Sequence, residues 1–196
     1  MDPPVTIADI AVKLFPLLFN LMGPIGVIPV FAALNQERDT QTRRAMAARA
    51  TLLSLAALAI AVFLGAGVLG AWGISRSSLV LAGGLIVTLS ALQPLFTKAT
   101  PVTAAGKALS PRELAVSPLA FPTIVSPRAI GVLVIFVAFF PTLEAKMAVF
   151  GVAAAMLVLD ALAMLAAGWF MAKIGMVPLL VLGAVFGVLQ VALGVE

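Results

Sequence analysis

Arg128 and Asp160 are charged residues set inside otherwise apolar sequence, and they supply most of the side-chain chemistry available to the chain. A carboxylate deep in a bilayer is costly to ionise, so it must pair, face a cavity or stay protonated. Asp160 therefore reads as a proton-coupling group or a partner for a substrate amine; the plain structural alternative is an ion pair with Arg128. The remaining chemistry belongs to the backbone. Gly23-Pro24-Ile25-Gly26 interrupts one apolar run, and Pro118, Pro122 and Ser126-Pro127-Arg128 interrupt another. Proline removes a donor and clashes with the preceding turn, so neither run can continue as a smooth helix. Freed amides at the start of a half-helix form a partly positive pole suited to a carboxylate, and freed carbonyls suit an ammonium group. Asn20, Gly23, Pro24, Ile25, Gly26, Ser126, Pro127 and Arg128 are thus the candidate substrate-binding residues, with Asp160 as the candidate proton site.

Covalent catalysis has little to work with. The chain has no Cys, His or Tyr, which excludes thiol chemistry, a histidine-based zinc site, a haem histidine and a Ser-His dyad. A lone Asp160 cannot form an aspartyl dyad. No enzyme activity, cofactor or metal is expected. Gly65-Ala66-Gly67-Val68-Leu69-Gly70 spells G-x-G-x-x-G, but inside an uncharged apolar stretch with no preceding strand it reads as packing rather than as a dinucleotide site. Asn20, Thr88, Ser90, Gln93, Thr123, Ser126 and Gln190 are polar groups in or near spans, where most such residues hydrogen-bond between helices.

The elements that would position these residues belong in lipid. Hydrophobic residues make up 63% of the 196 residues and charged ones only 10%, against roughly 25% charged in a soluble domain. Apolar runs of transmembrane length predict spans at about 10–34, 50–72, 78–96, 114–140, 147–169 and 176–193, with a basic loop after the first and a connecting loop at 97–113. The basic residues lie between spans, so the net charge of +4 reports orientation rather than nucleic-acid binding. With Arg38, Arg43, Arg44, Arg49, Lys98, Lys107, Arg112 and Lys173 on the cytoplasmic side, both termini fall outside.

The second half echoes the first. A small residue and a proline stand mid-span at Gly23-Pro24 and at Ser126-Pro127, Leu81-Ala82-Gly83-Gly84-Leu85 matches Val181-Leu182-Gly183-Ala184-Val185, and Trp72 and Trp169 close the second span of each half. Three spans per half require opposite insertion of the two copies. The expected fold is an all-α polytopic membrane protein with two inverted three-helix repeats, 1–96 and 114–196, joined by the cytoplasmic loop 97–113, and with spans one and four broken.

Leu18-Phe19-Asn20-Leu21-Met22-Gly23-Pro24-Ile25-Gly26-Val27-Ile28-Pro29-Val30-Phe31 resembles the first-span signature of the MarC family. Leu81-Ala82-Gly83-Gly84-Leu85, Pro118-Leu119-Ala120-Phe121-Pro122 and Ser126-Pro127-Arg128-Ala129-Ile130 resemble its later motifs. The resemblance implies a six-span bacterial inner-membrane protein with both termini periplasmic, related to exporters of small neutral amino acids such as alanine and glycine. The chain departs from the family pattern at Gly23, where Asn or Asp is usual, at Val27, where a polar Asn is usual, and at Ser126-Pro127-Arg128, usually Gly-Pro-Gly. The leading expectation is a secondary transporter that moves a small metabolite by alternating access. Its partners would be the lipid bilayer, a small-molecule substrate, and either a second copy or another membrane protein. The alternative is a non-transporting structural subunit of a larger membrane complex.

Overall fold

The computed structural model describes residues 7–36, 38–96 and 109–175, together with residues 178, 181, 185 and 188. Helices α1 (Ile7–Met22) and α2 (Pro24–Leu34) are separated by Gly23 alone, which is extended at φ −82°, ψ 175°. Pro24 disfavours a helical residue before it. A Cβ on Gly23 would run into the Phe19 carbonyl oxygen, so the close approach of that carbonyl requires glycine here. The interruption is local, and Ile10–Leu34 still forms one apolar stretch of spanning length.

Helix α3 (Thr40–Ala71) starts well before the apolar run expected as the second span. Asp39 caps it, accepting from the Thr42 amide at 3.0 Å and the Thr42 hydroxyl at 2.6 Å. The Ala, Arg, Met and Gln residues that follow are good helix formers, so the basic residues expected in a loop at Arg43, Arg44 and Arg49 ride on the first turns of a helix. The helix ends where Gly73 turns left-handed at φ +66°. After α4 (Arg76–Phe96), Ser110 and Glu113 form a capping box that opens α5 (Pro111–Ile124). Within α5, Ser117 and Phe121 are extended (φ −137° at both), each because a proline follows. The chain bends by 55° into α6 (Pro127–Phe139), which Ser126 caps through the Ala129 amide at 3.1 Å. Thr142 caps α7 (Leu143–Lys173), and Gly175 at φ +75° ends it. Trp72 stands at the end of α3, but Trp169 lies a turn inside α7. The expected pairing of these tryptophans therefore gives way to Gly73 and Gly175, the residues that end both helices by adopting a positive φ.

Three stretches, Ile10–Leu34, Thr40–Ala71 and Leu143–Lys173, are long and apolar enough to cross a membrane; the bent α5–α6 pair makes a fourth, and α4 holds a shorter apolar helix, Ser77–Leu89. No strand occurs among the described residues. The expected sixth span falls largely outside them, with residues 178, 181, 185 and 188 helical, and most of the expected 97–113 loop lies outside as well.

Helix α7 is the hub: α1, α2 and α3 all pack on it, α3 also packs on α5 and α6, and α4 packs on α6. The inward stripe of α3 is Met46, Ala47, Ala50, Ser54, Leu58, Ala61 and Val62; that of α7 includes Val149, Ala153, Met156, Leu157, Asp160, Ala163, Met164 and Ala167. Their outward faces carry exposed Leu52, Leu53, Ile60, Leu64, Val158, Leu162 and Leu165. A helix apolar on every side suits a bilayer, where lipid covers the outer face.

Candidate functional site: two helix breaks and a buried carboxylate

Contacts at the two ends of α7 set its register. Residues 11–16 of α1 line a groove with residues 148–155 of α7, and residues 29–36 line a cleft with residues 164–171. The α1–α2 segment therefore runs parallel to α7, and the residue level with the Gly23 break is Asp160, to within a turn. Helix α3 runs antiparallel to α7, with Phe63 against Phe150 (5.5 Å between ring centroids) and Arg43 beside Gly168. That register sets Ser54 within a turn of Asp160. Helix α6 meets α3 at Gly65 and Val134, and it meets α4, which returns from the Gly73 turn, at Ile135 and Gly83 and at Gly131 and Ile86. Helix α4 is thus antiparallel to α6, α3 runs the same way as α6, and the same spacing brings Ser126 to within a turn of Ser54.

Both interrupted segments also meet each other. Helix α1 packs on α6, and α2 packs on α5. The two chains are thus antiparallel where they touch, with their breaks facing. The breaks are not equivalent. Gly23 offers α2 no side-chain cap, and the Gly26 amide reaches the Gly23 carbonyl at 3.2 Å. At the second break the Ser126 hydroxyl and carbonyl take the Ala129 and Ile130 amides at 3.1 Å each. The α2 start is therefore the pole that lacks a side-chain partner, with the charge character that suits a carboxylate.

Asp160 is 0% exposed, and neither carboxylate oxygen has a partner among the described residues. The structural ion pair with Arg128 is therefore not formed. Ser54 is 1% exposed, with an unpartnered hydroxyl. Thr51, one turn earlier, follows the usual helical habit and donates to the Ala47 carbonyl at 2.9 Å; Ser54 makes no such bond. Sequence reading passed over Ser54, although its place on the Ala47, Ala50, Ser54, Leu58 stripe points it inward with Asp160. Of the expected binding residues, Gly23 and Ser126 are buried; Asn20, Pro24, Ile25 and Arg128 are partly buried; Gly26 and Pro127 are exposed. Open space surrounds Gly26, since a Cβ there would meet nothing within 4 Å. Gly65, from the glycine-rich run, presses on Val134 in the interior of α3, which is a packing role. Among the described residues no cluster of acidic side chains could hold a metal.

A family model described as MarC family integral membrane protein matches residues 8–196. The chain belongs to the MarC family. This MarC family protein is 30% identical over 134 residues to a UPF0056 membrane protein of Buchnera aphidicola subsp. Schizaphis graminum, covering 68% of this chain and 64% of that one. It is 32% identical over 123 residues to UPF0056 membrane protein YhcE of Escherichia coli K12, covering 61% and 57%. UPF0056 inner membrane protein YhgN of the same organism is 26% identical over 119 residues, covering 61% and 59%. In each case the aligned part is less than two thirds of the relative's length. No solved structure matches the chain. Family membership and the apolar helices together make this an integral membrane protein.

Proposed function

We propose that this MarC family protein is a secondary transporter that exports a small neutral amino acid, such as alanine or glycine, across a bacterial inner membrane. The carrying observation is the shared level of Gly23, Ser54, Ser126 and Asp160: two facing helix breaks beside a buried, unpaired carboxylate. Irregular backbone at membrane depth is tolerated only within protein or along a water-filled cavity. A zwitterion answers both charges. Its carboxylate would sit at the uncapped start of α2, with Asn20 and the amides near Gly26, while Arg128 adds a cation from the other break. Its ammonium would take the carbonyl ends of α1 and α5. Asp160, with Ser54 beside it, would carry a proton through the cycle.

Alternating access follows from two inverted repeats of three spans, with both termini periplasmic. Support for the repeat comes from spacing: Ser126 stands to Gly23 as Thr142 does to Asp39 and as Gly175 does to Gly73, to within one residue. The packing of α1–α2 on α7 is mirrored by that of α5–α6 on α3. Rocking one repeat against the other would open the breaks to alternate sides.

The test is flux of labelled alanine and glycine from proteoliposomes holding the purified chain. Wild type should export either amino acid faster under an imposed pH gradient, whereas Asp160→Asn should lose that response. No flux above protein-free vesicles would overturn the reading.

A further inference from the structure

Away from the breaks, the end of α2, the start of α3 and the end of α7 enclose a cleft of about 730 Å³. Its mouth holds Asn35, Thr40, Arg43 and Arg44, and its floor runs over Gly168 and Trp169. One Arg43 nitrogen, Nη2, donates to the Asn35 carbonyl at 3.0 Å. The Nε of the same guanidinium is buried without an acceptor. Asn35 is 2% exposed; its amide nitrogen donates to the Phe31 carbonyl at 2.9 Å, and its Oδ1 is buried without a donor. A cationic donor and a neutral acceptor without partners thus belong to two residues that line one cleft, and buried polar groups are rarely left so. Arg44 is exposed at the same mouth. Among the described residues no carboxylate lines the cleft, the nearby Asp39 being turned to Thr42.

An anion with a hydroxyl or ammonium donor close to its charge complements both groups. The floor adds a second requirement. Trp169 and Leu165 are apolar and largely exposed, and a tryptophan in the last turns of a membrane helix suits headgroup depth. We infer that this cleft is a binding site for the headgroup of an anionic membrane phospholipid. The phosphate lies on Arg43 Nε and Arg44, a headgroup hydroxyl donates to Asn35 Oδ1, and an acyl chain runs over Trp169 and Leu165. Basic pockets between helices at the cytoplasmic surface bind lipid headgroups in this way. A free phosphate would satisfy the arginines and leave the apolar floor unused.

The experiment follows thermal unfolding of the full chain in neutral detergent while phosphatidylglycerol, phosphatidylcholine or soluble glycerol phosphate is titrated in. Phosphatidylglycerol should raise the midpoint saturably, and the other two should do little. Arg43→Gln and Arg44→Gln should each weaken the apparent affinity about fivefold or more. Gly168→Leu, at a position where an added Cβ would lie 3.7 Å from the Arg43 guanidinium, should weaken it without removing a charge. Arg49→Gln, on an exposed turn of α3 outside the cleft, should leave it unchanged. Arg44→Gln and Gly168→Leu keep the test decisive if Arg43→Gln fails to fold. An equal response to phosphatidylcholine, or an equal loss in Arg49→Gln, would overturn the site. Stabilisation by glycerol phosphate alone would overturn the lipid as its occupant.

Discussion

At the scale of the residue, the two glycines of the first break play opposite parts. Gly23 has no room for a Cβ against the Phe19 carbonyl, whereas Gly26 has open space. Gly23→Ala should therefore destabilise the protein by about 1–3 kcal/mol through steric overlap with the Phe19 carbonyl, while Gly26→Ala should stay within about 1 kcal/mol of wild type. Denaturant unfolding in detergent separates the two. Asp160 carries a second prediction. A buried carboxylate without partners is a liability to the fold. Asp160→Leu should leave stability unchanged or raise it by about 1–3 kcal/mol while abolishing transport; a marked loss of stability would assign Asp160 to the scaffold. Both breaks and Asp160 were legible in the sequence, because proline in an apolar run and a carboxylate in a span are conspicuous. Ser54 was not. A serine among alanines and leucines signals nothing until its neighbours show which face of the helix is buried.

At the scale of the element, helix ends were the least legible feature. Apolar runs locate the part of α3 and α7 that meets lipid, but capping decides where the helices start and stop. Asp39 extends α3 into basic, polar sequence, and Gly73 and Gly175 stop the long helices by taking a positive φ that no apolar run announces. The Asp39 cap also makes α3 pH-sensitive at its first turn. The Thr42 hydroxyl and then the Thr42 amide hold the Asp39 carboxyl below its usual value of 3.8. A lowered folded-state pKa means that the cap stabilises above the unfolded value and is lost as pH falls through the folded one. Hydrogen exchange at the Thr42 amide, corrected for the intrinsic pH dependence of exchange, should show less protection only below about pH 4. In Asp39→Asn, which keeps the cap without the titration, that protection should not change with pH. The irregular backbone of α5 was expected from Pro118 and Pro122. The 55° bend into α6 was not, since proline spacing says nothing about the direction of a kink.

At the scale of the whole molecule, the site depends on register, which no single segment encodes. Parallel packing of α1–α2 on α7 and antiparallel packing of α3 on α7 bring Gly23, Ser54 and Asp160 to one level, with Ser126 joining from α6. The proposed inverted repeat would also fix an orientation, which can be checked without background because the chain has no cysteine. Single cysteines at Gln36 and Thr142 should be labelled by an impermeant maleimide from opposite sides of the membrane, Thr142 from outside. Labelling of both from one side would break the inverted arrangement. The central claim, that the facing breaks hold a zwitterion, is tested most directly by equilibrium binding of labelled alanine to the purified protein. Wild type should bind saturably near one alanine per chain, and Gly26→Leu, filling the open space at the first break in a protein that remains folded, should bind none. Undiminished binding in Gly26→Leu, or no saturable binding in wild type, would contradict it.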